Sequence, residues 1–181
     1  MVVFDTTVLV PLLDPRCPSP IDPSTSKPVT ESNARMNFLV SELRERREKI
    51  IIPTPVLSEV LIHADKAATD WFLKLSRSSA FRIEPFDARA AVELAYLYSG
   101  AIKAGDRRAG STATMAKIKF DRQIVAISKV HKATTIYSND NNLRKFAEAK
   151  SIKVIPIWDL PLPPPGSQRD LWDTPDAPPA A

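Results

Sequence analysis

Ile50-Ile51-Ile52 is a run of three β-branched residues closed by Pro53. A strand that is apolar at every position offers no face to water, so it must be covered on both sides. Phe81-Arg82-Ile83-Glu84, Thr134–Tyr137 and Ile152–Ile155 are further short strand candidates. Val2–Phe4, resuming at Val8–Val10, reads as a buried strand segment broken at Asp5-Thr6-Thr7. Amphipathic stretches lie between them. Met36, Leu39, Val40 and Leu43 recur at helical spacing, as do Val56, Leu57, Val60 and Leu61, and a further helical stretch covers 67–78. Asp87 reads as the cap of a helix with Ala88, Ala91, Val92, Ala95 and Ile102 on one face. Asp121 opens a helix carrying Ile124, Ile127 and Val130, and 140–150 is the last helix. Strands alternating with helices predict an α/β fold, a three-layer α/β/α domain around a mainly parallel sheet of four to five strands.

Composition matters where proline is concerned. The chain of 181 residues holds 17 Pro against 4 Gly, and only Pro53, Pro55, Pro85 and Pro156 fall within 29–160. The expected organisation is therefore one domain over 1–160, with a proline-rich loop at 14–31, followed by a flexible, proline-rich, acidic tail over 161–181. Cys17 is the only cysteine, which excludes a disulfide framework and a Cys-ligated zinc site. No apolar run reaches the roughly 20 residues of a membrane helix, and no signal peptide is evident, so a soluble, cytoplasmic protein is expected. The net charge is +4. From Ile157 onward one base faces four acids, which leaves −3 there and +7 on the body. A basic body suits a polyanionic partner, and it equally suits an ordinary lysine-rich surface.

Ligands of an open parallel sheet sit beyond the carboxyl ends of its strands. Asp5 ends the first strand, and Asp140 follows Thr134–Tyr137 through Ser138-Asn139. Asp121 lies in a helix leading into that same strand. Taken singly, Asp5 and Asp140 also serve as turn or helix caps, and Asp121 as a complement to the helix dipole. Glu59 is harder to explain away, because a carboxylate beside the apolar stripe of its helix costs desolvation. A carboxylate-only cluster would repel itself unless cations lay within it, and oxygen donors favour Mg²⁺ or Mn²⁺. His63 and His131 lie far from any strand end and read as ordinary packed or exposed histidines. Gly105–Thr112 has the glycine spacing of a P-loop, but Ser111 stands at the lysine position and no strand precedes it. Phe4-Asp5-Thr6-Thr7 lacks the second Asp of the Asp-x-Asp phosphatase pattern.

Four segments in order carry a family resemblance. They are Val-Val-Phe-Asp5-Thr6-Thr7-Val-Leu-Val, Ile-Pro53-Thr-Pro55-Val-Leu-Ser-Glu59-Val-Leu, Phe-Asp121-Arg-Gln-Ile-Val-Ala-Ile, and Thr-Thr-Ile-Tyr-Ser138-Asn139-Asp140-Asn-Asn-Leu. Across roughly residues 1–157 the chain resembles PIN-domain ribonucleases, in particular the VapC-type toxins of type II toxin–antitoxin pairs. It departs from them in its long 14–31 segment, in Ser138 where Thr is usual, and in the tail.

The resemblance implies a Mg²⁺-dependent (or Mn²⁺-dependent) endoribonuclease. Asp5, Glu59, Asp121 and Asp140 would hold one or two ions, and a metal-activated water would hydrolyse the RNA phosphodiester. Asp5 and Asp121 would be the principal direct ligands, with Asp140 completing the site or acting through water. Glu59 would orient the attacking water, and the Thr6 and Ser138 hydroxyls would fix the carboxylates. Lys103, Arg107, Arg108, Lys117, Lys119 and Arg122 lie near Asp121 in sequence and would either position phosphates or form a solvated loop. The implied partners are the RNA substrate, a small antitoxin protein and a second copy of the chain, with no membrane. The competing reading is a catalytically inactive PIN-like RNA-binding or regulatory module, which the complete acidic set disfavours.

Overall fold

The computed structural model describes residues 1–164, apart from 104, 107 and 109 and the side chain at 101. The tail beyond 164 therefore lies outside the described residues. The chain opens with strand β1 (Val2–Phe4) and passes through Asp5 directly into helix α1 (Thr6–Leu13). A two-stranded hairpin follows, β2 (Ile21–Asp22) paired antiparallel with β3 (Lys27–Pro28). Then come α2 (Ser32–Glu45), β4 (Ile50–Pro53), α3 (Thr54–Ala64), α4 (Ala68–Arg77) and β5 (Phe81–Glu84). The remainder is α5 (Ala88–Lys103), α6 (Met115–Val130), β6 (Thr135–Tyr137), α7 (Asn141–Glu148) and β7 (Lys153–Ile155).

β5, β4, β1, β6 and β7 form, in that order, one parallel sheet, flanked by helices as a three-layer α/β/α domain. Ile50, Ile51 and Ile52 are fully buried in it, as the need for cover on both faces demands. Phe4 meets Tyr137 and Phe81 edge-on, with ring centroids 5.4 Å and 6.4 Å away, which fills the sheet's centre with aromatic volume. The chain runs β1, β4, β5 toward one edge and then returns to place β6 on the other side of β1. The strand order therefore reverses at β1, the place where a parallel sheet of this kind leaves a crevice between the loops at the carboxyl ends of its strands.

Three expectations need correction, and for α5 the packing decides which apolar face is buried. Val8–Val10 is helical. Val8, Leu9, Val10, Leu12 and Leu13 are all buried, and an element apolar all round carries no periodicity that separates helix from strand. The 14–31 segment contains the β2–β3 hairpin instead of being loop throughout. Helix α6 begins at Met115, capped by Thr114, whose side chain accepts the Lys117 N–H, so Asp121 lies in its interior instead of its first turn. On α5 the face of Ala88, Ala91, Val92, Ala95 and Ile102 points outward, with Val92 66% exposed, while Ala90 and Tyr98 are buried. Both faces of α5 satisfy a 3.6-residue period, and the larger aromatic side chain is on the one that packs.

Pro11 interrupts α1 and cannot donate to the Thr7 carbonyl four residues back. That carbonyl instead accepts from Asn139 Nδ2 at 3.3 Å, in the connection between β6 and α7. Asn139 Oδ1 accepts the Ile157 N–H at 2.9 Å, and the Asn139 N–H donates to Thr7 Oγ1 at 2.9 Å. One side chain thus ties α1, the β6–α7 turn and the chain after β7 together beside the crevice. Asn139→Ala leaves a part-buried carbonyl and N–H without these partners, and we expect a loss of about 1–3 kcal/mol in urea unfolding. An unchanged midpoint would show that the clamp contributes nothing.

Candidate active site

Asp5 lies at the carboxyl end of β1, 6% exposed. It stands at the N-cap position of α1, yet its side chain makes no capping bond to that helix. Its Oδ2 accepts from Ser138 Oγ at 2.7 Å and Thr7 Oγ1 at 3.0 Å. Burial pushes its carboxyl above the usual range, the two hydroxyls pull back against this, and the Asp140 charge adds to the rise.

Asp121 reaches the same place from the interior of α6 and is 3% exposed. Its Oδ1 is 3.4 Å from Lys117 Nζ, and its buried Oδ2 has no hydrogen-bond partner. Burial lifts its pKa to about 6, with Lys117 opposing and the charges of Asp140 and Asp5 reinforcing. Asp140 does cap a helix, as an ordinary Asp would. Its Oδ1 accepts the N–H groups of Asn142 at 2.7 Å and Leu143 at 3.3 Å. Its Oδ2 is 2.6 Å from Lys117 Nζ. Burial works to raise Asp140, but the Lys117 ammonium and these N–H groups outweigh it and hold the carboxyl below the usual range.

Asp5, Asp121 and Asp140 are therefore brought together at the crevice, each within reach of another's charge. Glu59 is not part of that buried group. It is exposed on α3, so the expected desolvation cost does not arise, and its Oε2 accepts the Thr6 hydroxyl at 2.6 Å. That bond fastens Glu59 to the residue next to Asp5. Thr6 and Ser138 both hold carboxylates, and Thr7 does the same for Asp5.

The basic residues separate. Lys117 contacts two of the acids. Arg108 and Lys119 are exposed. Arg107 lies outside the described residues. Arg122 is a correction: it is 6% exposed, with its guanidinium carbon 4.5 Å from the Tyr98 ring centroid and 5.5 Å from that of Phe146, so it packs between helices and does not face a substrate. His63 packs beside Trp71, and His131 lies 3.3 Å from Glu84.

Thr7 and Asn139 were not anticipated as functional residues. The nearest signal for Thr7 is the uninterrupted Asp-Thr-Thr, whose two hydroxyls go to different carboxylates, Thr6 to Glu59 and Thr7 to Asp5. Lys117 was placed with the phosphate contacts, because the later helix start hid its i,i+4 relation to Asp121.

Among the described residues no three acidic, imidazole or thiol side chains gather closely enough to hold one ion. The donor chemistry nevertheless fits a hard divalent cation. Every candidate ligand is a carboxylate oxygen, and Asp121 Oδ2 is a buried acceptor lacking a hydrogen-bond partner.

The raised Asp121 pKa has a signed consequence. The folded protein holds this proton more tightly than the unfolded chain, so the contribution is fully present below the ordinary value of 3.8 and lost as pH rises through about 6. Without divalent cations, the melting temperature of Asp121→Asn relative to wild type should therefore climb by several degrees between pH 4 and pH 7. A difference that stays flat over this interval would contradict the assignment.

Comparison with known proteins adds three findings. A family model, PIN domain, matches residues 33–149, a stretch that includes Glu59, Asp121 and Asp140 but not Asp5. No curated protein matches the sequence. Among solved structures, VapBC2 from Rickettsia felis, bound to a DNA fragment from their promoter, is similar with a TM-score of 0.55 at 16% identity, covering 86% of this chain and 98% of that one. At that identity the likeness concerns the fold.

Proposed function

The chain belongs to the PIN-domain family, and on that premise we propose that it is a Mg²⁺-dependent (or Mn²⁺-dependent) endoribonuclease acting at the crevice beyond β1 and β6. PIN domains are typically nucleases. The observation that carries the reading is Asp121, a buried carboxylate with an unpartnered oxygen beside two further acids. A structural module has no reason to keep three mutually repelling carboxylates at one strand edge.

Asp5 and Asp121 would hold the cation directly, and Asp140, whose oxygens already meet Lys117 and the first N–H groups of α7, would act on it through water. When bound, the cation supplies charge stabilisation at the phosphate and eases ionisation of a water. Ser138 and Thr7 hold the Asp5 carboxylate in a fixed orientation, so little rearrangement is needed on binding. Glu59, exposed and steadied by Thr6, orients the attacking water from the rim. No protein nucleophile is required. Arg108 and Lys119, on the exposed side, would contact backbone phosphates and set affinity without sequence preference.

The biological setting is also a proposal. The likeness in fold to VapBC2 supports the toxin half of a type II pair, with a small antitoxin protein as partner. A second copy would pack on the outward apolar face of α5, where Val92 and Tyr96 stand 66% and 85% exposed. Residues 1–160 would form the nuclease and 161–181 an appended acidic tail. No described helix is long and apolar enough to cross a membrane, and we place the activity in the cytoplasm.

The purified chain should cleave single-stranded RNA with Mg²⁺ and stop on addition of EDTA. Asp5→Asn and Asp121→Asn should each lower the rate by roughly 100-fold or more while circular dichroism remains that of the folded protein. Full activity in either variant, or cleavage that survives EDTA, would rule the mechanism out.

A further inference from the structure

Lys117 stands where a surface lysine has little reason to be. It occupies the first turn of α6, where the helix dipole disfavours a cation. It precedes Asp121 by four residues, the weaker order for a helical ion pair. Its closest partner belongs to another element: Nζ lies 2.6 Å from Asp140 Oδ2, against 3.4 Å to Asp121 Oδ1. Asp121 is buried and Asp140 only partly exposed, while the lysine is 46% exposed, so its stem reaches inward to bring the ammonium to them. The acids, more than the helix, hold Lys117 in place.

Metal-dependent phosphoryl hydrolysis commonly uses two cations about 3.5–4 Å apart, with carboxylates bridging or flanking them. Here Asp140 already has both oxygens engaged, Oδ1 by two backbone N–H groups and Oδ2 by the ammonium. Asp121 shares Oδ1 with the same ammonium and leaves Oδ2 without a partner. Three carboxylates and one ammonium leave two negative charges, which one divalent ion balances.

Resting on the metal-dependent reading above, we propose that Lys117 is a tethered cation taking the place of a second metal, so that the site accepts a single divalent ion beside Asp5 and Asp121. The ammonium neutralises Asp140 permanently and repels a second ion from that side. It has three N–H donors, and its two carboxylate contacts leave one for a phosphate oxygen of the substrate. Lys117 is thus a positioning residue for the acids, and its role shows in metal stoichiometry as well as in rate.

The test is Mn²⁺ binding to the full chain without RNA, followed by calorimetry and by the electron paramagnetic resonance of free Mn²⁺. Wild type should take up one ion per chain, and Lys117→Arg, which keeps the charge, should do the same. Lys117→Met should either take a second ion or bind the first about tenfold more tightly. Lys117→Gln, which keeps polarity without charge, should behave like Lys117→Met and covers the case in which the methionine variant does not fold. Two ions per wild-type chain would overturn the inference, as would charge-free variants that bind one ion with affinity unchanged or weaker. Those results would leave the nuclease reading intact. A wild-type chain that binds no Mn²⁺ would overturn both.

Discussion

Repulsion among Asp5, Asp121 and Asp140 is the constraint around which the carboxyl edge of the sheet is arranged. Three carboxylates taken from water into a shared crevice are each destabilised by burial and by one another. The protein offsets this in a different way for each. Asp5 receives two hydroxyls, from Ser138 and Thr7. Asp140 receives the N-terminus of α7 and the Lys117 ammonium. Asp121 receives least, one ammonium contact at 3.4 Å to one of its oxygens, and burial lifts its carboxyl to about 6. This acid also keeps a buried oxygen without a hydrogen-bond partner, the observation on which the metal proposal rests.

The backbone around these groups serves the same end. Reversal of strand order at β1 brings Asp5 and the Ser138-Asn139-Asp140 turn side by side. Pro11 frees the Thr7 carbonyl, and Asn139 takes it up while also holding the chain after β7. A proline that would elsewhere be a defect in a helix here leaves an acceptor through which the two site-bearing loops are joined. Thr7 works at both ends of this arrangement, with its hydroxyl on Asp5 and its carbonyl on Asn139.

Much of this was legible in the sequence, and the failures have physical causes. Ile50–Ile52 announces a doubly covered strand, and the parallel sheet follows from it. Helix α1 was hidden because Val8–Leu13 is apolar on every side, a pattern that strand and buried helix share. On α5 alanine and valine mark an apolar stripe as well as Tyr98 does, and only packing against the neighbouring helices decides which face is buried. Glu59 looked buried from its neighbours Val56 and Val60, yet it projects to solvent from the edge of that stripe. The acids themselves were recoverable from their order along the chain. What could not be read was the traffic between them, since Lys117, Thr7 and Asn139 act through contacts between elements that no local spacing encodes.

The central claim is that the acidic crevice is a metal site, and the most direct test is where an ion binds. Crystals grown with Mn²⁺ should show an anomalous difference peak bounded by the Asp5 and Asp121 carboxylates, with Lys117 still on Asp140. Crystals with no peak in this crevice, or with Mn²⁺ bound only elsewhere on the chain, would contradict the account.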